Sequence, residues 1–176
     1  AGNVGSCSSA GVTYVEDSLA PSAPSGLTIT PVGPANNNNP VLKGVAEDLT
    51  GIWVHGTSGC TGTVYGSGSA AQFEGTGLTL TVPGDAGYTF YVKSVDDAGN
   101  ATCSTESKSY IEDSTCPSPT GFQLMTPSPA NNRNPVLKGT AETNSTVTIF
   151  TTSNCVGGDA GTASAAVFAG TGITLT

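Results

Sequence analysis

The chain spells nearly the same text twice. Tyr14 to Pro21 reads YVEDSLAP and Tyr110 to Pro117 reads YIEDSTCP. Downstream of each copy the same words return in order: PVLKG at Pro40 to Gly44 and Pro135 to Gly139, then Ala46-Glu47 and Ala141-Glu142, Cys60 and Cys155, and Gly75-Thr-Gly77 and Gly170-Thr-Gly172. The period is 96 residues from Tyr14 to Tyr110 and drifts to 95 further along. A self-similarity of that length exceeds the roughly 20 to 50 residues of a solenoid unit and suits a tandem array of small independent domains. The expected organisation is residues 1–13 as the C-terminal strand of a preceding repeat, 14–109 as a complete repeat and 110–176 as a truncated second one. Ala1-Gly-Asn3 before Cys7 matches Ala98-Gly-Asn100 before Cys103, and Thr176 falls at the position of Thr81. On this reading the chain is a window on a longer extracellular repeat array.

One repeat of about 95 residues buries roughly 60 to 65% of its unfolded surface, enough for one modest core but not for a large enzyme cleft. Only 10% of residues are charged and 6% are aromatic, while the apolar share of 36% is too high and too regularly spaced for disorder. The net charge of -8 repels phosphate backbones and anionic lipid surfaces, which argues against nucleic acid and peripheral membrane partners. Acidic faces attract cations instead. No run approaches the ~18 apolar residues of a membrane span, so no insertion within this segment is expected.

Short apolar runs of period two alternate with clusters of Gly, Pro and Asn, the pattern of antiparallel strands, and no helical periodicity is found. Strands are expected at Leu27 to Thr30, Val41 to Ala46, Ile52 to Thr57, near Val64, at Leu78 to Val82, and at Tyr88 to Val95. The last turns through Asp97-Ala-Gly-Asn100 and returns as Ala101 to Ile111. Gln72 to Glu74 reads as ragged. Seven or so strands per repeat is the immunoglobulin-like count, so the expected fold is all-β, tandem immunoglobulin-like antiparallel sandwiches.

Comparing the two copies also sorts faces. Ile52 and Val54 become Val147 and Ile149, and Leu78 and Leu80 become Ile173 and Leu175, so these stay apolar and are expected inside. Phe90 and Val92 are expected to join them. Trp53 becomes Thr148 and His55 becomes Phe150, which places Trp53 and His55 on the outer face with Tyr91. Such an aromatic cluster either stacks on sugar rings or a neighbouring chain, or merely protects a sheet face by cross-strand packing. Tyr88 stands where a tyrosine corner would be.

The YxEDSxxP word, the Asp-Asp-Ala-Gly-Asn turn and the Gly-Val/Thr-Ala-Glu strand resemble the bacterial immunoglobulin-like (Big-type) tandem repeats of large surface and adhesin proteins. The resemblance covers the whole chain. It implies a secreted or bacterial cell-surface array that acts as a stalk, adhesin shaft or fibre component, or as spacers in a secreted hydrolase. The implied partners are neighbouring repeats or other copies of the chain, and host-surface or matrix glycans. Fold likeness does not choose among these.

An immunoglobulin-like topology brings Glu16, Asp17, Asp96, Asp97 and Asn100 toward one end of a domain. Carboxylate and amide oxygens suit Ca²⁺, which takes six to eight oxygen ligands, and related adhesin repeats are stiffened in this way. Alternatively, Asp-Ala-Gly-Asn is only a hairpin turn and Glu-Asp solvates an exposed linker. The five cysteines suggest disulfides in an oxidising compartment. Cys60 and Cys155 are equivalent, as are Cys7 and Cys103, so Cys60–Cys103 is the expected pair. Against it, a standard sandwich puts the Cys60 hairpin and the start of the last strand toward opposite ends, whereas a bridge needs Cα atoms within ~7 Å. Cys7 and Cys155 are expected to be unpaired or bridged to another chain. Cys116, which replaces Ala20, is free, bridged to Cys60 across the joint, or bridged to another chain. One histidine and no GxSxG or nucleotide-binding glycine loop leave no catalytic constellation, so no enzyme activity is expected.

Overall fold

The computed structural model describes all 176 residues, Ala1–Thr176, as an all-β chain with several antiparallel sheets and two five-residue helices. Two compact units form, Ala1–Ser114 and Thr115–Thr176.

In the first unit, residues 1–24 carry no strand, so the strand expected within residues 1–13 is not formed. Val4, Val12, Tyr14 and Val15 are all exposed. A lone extended segment satisfies no ladder and buries no face, so it needs a sheet edge to pair with. The chain is first pinned at Pro21 and Pro24, both buried, where the Ser22 N–H donates to Glu47 Oε2 at 2.8 Å. From there it forms β1 (Ser25–Thr30), β2 (Val41–Val45), β3 (Gly51–His55), β4 (Val64–Ser69), helix α1 (Ala70–Glu74), β5 (Leu78–Thr79), β6 (Ala86–Val95), β7 (Ala101–Cys103) and β8 (Lys108–Glu112). One sheet has the order β1-β2-β5; the other has the order β4-β3-β6-β7, with β8 also on β6. Ile52, Val54, Phe90 and Val92 from the second sheet join Leu27, Leu42 and Leu78 from the first in one buried cluster, closed by Phe73 and Tyr110.

The repeated words turn out to be contacts. In PVLKG, Leu42 and Gly44 face the core, and Phe73 of α1 lies so close over Gly44 that a Cβ there would stand 2.6 Å from Phe73 Cζ and 2.7 Å from the Ser25 carbonyl oxygen. Only glycine leaves room for the ring. In Gly-Thr-Gly, Gly77 adopts φ +88 beneath Val41 and Lys43, a conformation and a proximity that both exclude a side chain. The second unit repeats the device, with Phe168 over Gly139 and Gly172, at φ +87, beneath Val136 and Lys138. Its elements follow the same order: β9 (Thr120–Leu124), β10 (Val136–Thr140), β11 (Thr146–Phe150), β12 (Asp159–Ser164), α2 (Ala165–Ala169) and β13 (Ile173–Thr174). Here the sheets are β13-β10-β9 and the two-stranded β11-β12.

Several expectations shift. The helices α1 and α2 replace the ragged segment and its counterpart. Ser69 Oγ accepts the Gln72 N–H at 3.2 Å and Ser164 Oγ accepts the Val167 N–H at 3.3 Å, each a serine N-cap on a helix of little more than one turn. Such a helix is too short to show a 3.6-residue period. Leu78, Leu80 and Val82 are buried in alternation, as expected, yet only Leu78–Thr79 is laddered. Beyond it the segment hydrogen-bonds alternately, Leu80 N–H to Pro40 O and Thr81 N–H to Tyr65 O, both at 2.8 Å. The expected return strand from Ala101 to Ile111 is broken at Ser104, whose hydroxyl accepts the buried Val92 N–H and donates to the Glu106 carbonyl. Tyr110 belongs to β8, and its hydroxyl donates to the Asn37 carbonyl at 2.7 Å. The first unit therefore extends through Ser114, past the expected boundary at 109/110.

Candidate functional site

The sharpest chemical feature is the Cys60–Cys103 disulfide, with Cα atoms 5.8 Å apart. Its topology answers the geometric objection. β3 and β7 both pair antiparallel with β6, so they run in the same direction. His55 lies opposite Tyr91 and Cys103 opposite Lys93, which brings the finish of β7 and the loop after β3 to one end of the sheet. Cys103 closes its strand instead of opening it. Cys60 holds a positive φ of 48 in a turn closed by its N–H to the Thr57 carbonyl at 2.9 Å. Cys7, Cys116 and Cys155 are free and exposed.

The five expected calcium ligands do not gather into one group: no set of three or more Asp, Glu, His or Cys side chains is placed so that it could hold a metal ion. The segments do meet, since Asn100 Nδ2 donates to the Asp17 carbonyl at 3.1 Å. The turn closes on itself, however. Asp96 Oδ1 accepts the Asn100 N–H at 2.9 Å and Oδ2 accepts Asn100 Nδ2 at 3.0 Å, so the amide faces the carboxylate as a donor. The Asn100 side-chain amide above all, then backbone N–H groups of the turn, hold the Asp96 carboxyl below the ordinary aspartate value against an opposing desolvation. Glu16, Asp17 and Asp97 are exposed.

The expected outer-face cluster of Trp53, His55 and Tyr91 is likewise not a single surface. His55 is buried, 7% exposed, with Nδ1 unpartnered. The register of β3 against β4 shifts between Val54 and His55, and both of these consecutive residues are buried, so the strand alternation does not carry through to His55. Trp53 is half-buried and lays its ring back over Gly51, away from the His55–Tyr91 pair; a Cβ on Gly51 would stand 2.7 Å from the indole. The ring instead borders a 490 Å³ groove with Leu49, Ser67, Ser69 and Ala71. Leu49 is 90% exposed and holds φ 63 there. The equivalent groove of the second unit is lined by Asn144, Ser145 and Ser164, with no aromatic residue.

Sequence reasoning did not single out Glu112, although the YxEDS word contains it. It is 1% exposed, its Oε2 accepts the Asp85 N–H and the Ser114 hydroxyl, and its Oε1 has no partner. Burial above all, then Tyr65, Glu112 and Asp85, pushes the Tyr88 phenol up, and burial followed by Glu112 does the same at Tyr110. Tyr88 donates to the Pro83 carbonyl five residues upstream. No helix is long and apolar enough to cross a membrane. Comparison with family models, with curated proteins and with solved structures finds no match for the chain.

Proposed function

We propose that the chain is a structural segment of an extracellular array of tandem immunoglobulin-like sandwiches, serving as an adhesin shaft or as the body of a cell-surface fibre. The observation that carries this reading is the repetition of one building plan, with the same strand order, the same capped helix and the same phenylalanine-on-glycine contact in both units. Selection that preserves a scaffold while varying its grooves fits a protein whose work is to span distance. The Cys60–Cys103 bond supports an oxidising compartment, and the repeat favours partners that are neighbouring units or other copies. Antibodies against residues 25–112 should label intact, unpermeabilised source cells or material shed from them, with Cys60 and Cys103 recovered as an oxidised pair. Label that appears only after lysis, with both thiols reduced, would sink the proposal.

A second reading, glycan binding, draws on the Trp53 groove, because an indole beside serine hydroxyls can stack on a sugar ring. Binding on a glycan array that is lost in Trp53→Ala would favour it, while an array with no signal removes it.

A further inference from the structure

Three of the positions at which the two units differ meet in one place. Leu49, Gly51 and Trp53 stand where the second unit has Asn144, Thr146 and Thr148, and all three line the 490 Å³ groove of the first unit. The changes fit one another. Gly51 is bare, and the indole of Trp53 lies back over it, with Cη2 and Cζ3 each 2.7 Å from where a Cβ would stand. A threonine there, as in the second unit, would deny the ring its seat. In that unit Thr162 donates to the hydroxyl of Thr148, its partner across β11 and β12, at 3.0 Å. The place of the indole is thus taken by two side chains that satisfy each other.

Leu49 points the same way. It holds φ 63, a left-handed conformation that a Cβ disfavours and that asparagine tolerates better, and the second unit does place Asn144 there, at φ 66. The first unit keeps a leucine instead, 90% exposed. That side chain serves neither the turn nor the core; it raises an apolar wall beside the indole. The opposite wall is polar. On β4, Ser67 lies opposite Trp53 and Ser69 opposite Gly51, so two exposed hydroxyls run alongside the ring, with Cβ atoms about 5 Å across the ladder. Ser69 Oγ accepts the Gln72 N–H and keeps its proton to donate.

An aromatic plate edged by hydroxyls matches a ring that is apolar on one face and hydroxylated at its rim, which is a pyranose. Charge narrows the class. No residue lining the groove is charged, exposed Glu47 and Asp48 precede Leu49 on its turn, and the chain carries a net charge of -8. Lys93, opposite Trp53 on β6, lies on the other side of β3 and does not line the groove. We propose that the groove takes an uncharged hexopyranose unit of a glycan, with one C–H face stacked on Trp53, hydroxyls bonded to Ser67 and Ser69, and its edge against Leu49. The assignment rests on the glycan reading of this groove and adds to it the charge class of the sugar and the roles of Leu49 and Gly51.

Trp53 is the only tryptophan, so its fluorescence in the full chain reports the site directly. Titration with methyl β-D-galactopyranoside or methyl β-D-glucopyranoside should shift it saturably for at least one of the two, with roughly millimolar affinity, as suits a single small ring. The matching uronic acid glycosides, which carry a carboxylate at C6, should bind at least about tenfold more weakly. Trp53→Ala, followed by saturation-transfer NMR, should weaken binding about tenfold or more. Leu49→Asn should melt no lower than the parent, because it suits the left-handed turn, yet bind about fivefold more weakly. Uronides that bind as tightly as the neutral sugars overturn this assignment and leave glycan binding standing. Sugar binding that survives Trp53→Ala, or that keeps its parental strength in Leu49→Asn, also overturns it. A chain that binds none of the four sugars, and gives no signal on a wider glycan array, removes the assignment and the glycan reading together.

Discussion

Gly44→Ala is the perturbation that most directly probes why the chain repeats PVLKG. The added methyl would stand 2.6 Å from Phe73 Cζ, 2.8 Å from its Cε1 and 2.7 Å from the Ser25 carbonyl oxygen, where carbon contacts favour about 3.5 to 4.0 Å. Neither neighbour can give way cheaply. Phe73 is fully buried, and Ser25 is held in register with Val45 across the β1–β2 ladder. Overpacking of this kind costs about 1–3 kcal/mol. At roughly 4–8 °C per kcal/mol for a unit of this size, the first unit should melt about 5–20 °C lower. The single tryptophan, Trp53, lies in that unit, so its fluorescence follows the first unit alone. Gly139→Ala should make the same clash with Phe168 and leave the Trp53 transition in place. Phe73→Leu should partly relieve Gly44→Ala, giving a coupling of about 1 kcal/mol in a double-mutant cycle. A Gly44→Ala protein that melts with the parent refutes the reasoning, as does a double mutant whose losses simply add.

Other outcomes follow from the same structure. Replacing Cys60 and Cys103 by serine should cost the first unit about 4 kcal/mol by the chain-entropy estimate for a 43-residue separation, read as a lower denaturant midpoint for Trp53 fluorescence. A maleimide should label Cys7, Cys116 and Cys155 in the native protein under non-reducing conditions, and Cys60 and Cys103 only after reduction, as counted by intact mass. The Asp96 carboxyl is lowered in the folded state, so its contribution is present above the ordinary aspartate value and lost as pH falls through the folded one. The melting difference between parent and Asn100→Ala should accordingly be largest near neutrality and shrink in acid. Tyr110 is raised by burial and by Glu112, so its contribution is complete below the unfolded tyrosine value and lost as pH climbs through the folded one. Base-induced unfolding should therefore begin at lower pH in the parent than in Tyr110→Phe, although that variant loses about 1 kcal/mol at neutrality with its bond to Asn37.

The fold was legible where two copies of one pattern could be laid side by side. Ile52, Val54, Leu78 and Leu80 are buried because both repeats keep those positions apolar, and Cys60 could be matched to Cys103 because each has its own equivalent. The helices were not legible, since five residues cannot display a period and their signal lay in the serine cap before two alanines. His55 was misplaced because simple strand alternation does not foresee a register shift such as the one between Val54 and His55, where consecutive residues are both buried. The five residues expected to converge on calcium do not form one group in the structure, for a related reason. Topology did bring the Asp17 segment to Asn100, but hydrogen bonding within the turn turned its amide nitrogen, not its oxygen, toward Asp96. Glu112 was missed because a carboxylate beside an aspartate reads as solvated linker unless the last strand is known to run through it.

The disulfide also sets how far the first unit can be drawn out. A chain of 43 residues, fully extended, spans roughly 150 Å, and while Cys60 and Cys103 are joined that length is withheld from any pull applied along the polypeptide. Under load the unit can release only the stretches outside the bridge, from β1 to Cys60 and from Cys103 through β8, so each opening is a short step that leaves a closed loop able to refold. Oxidised, the unit resists overstretching; reduced, the same sequence becomes a much longer tether.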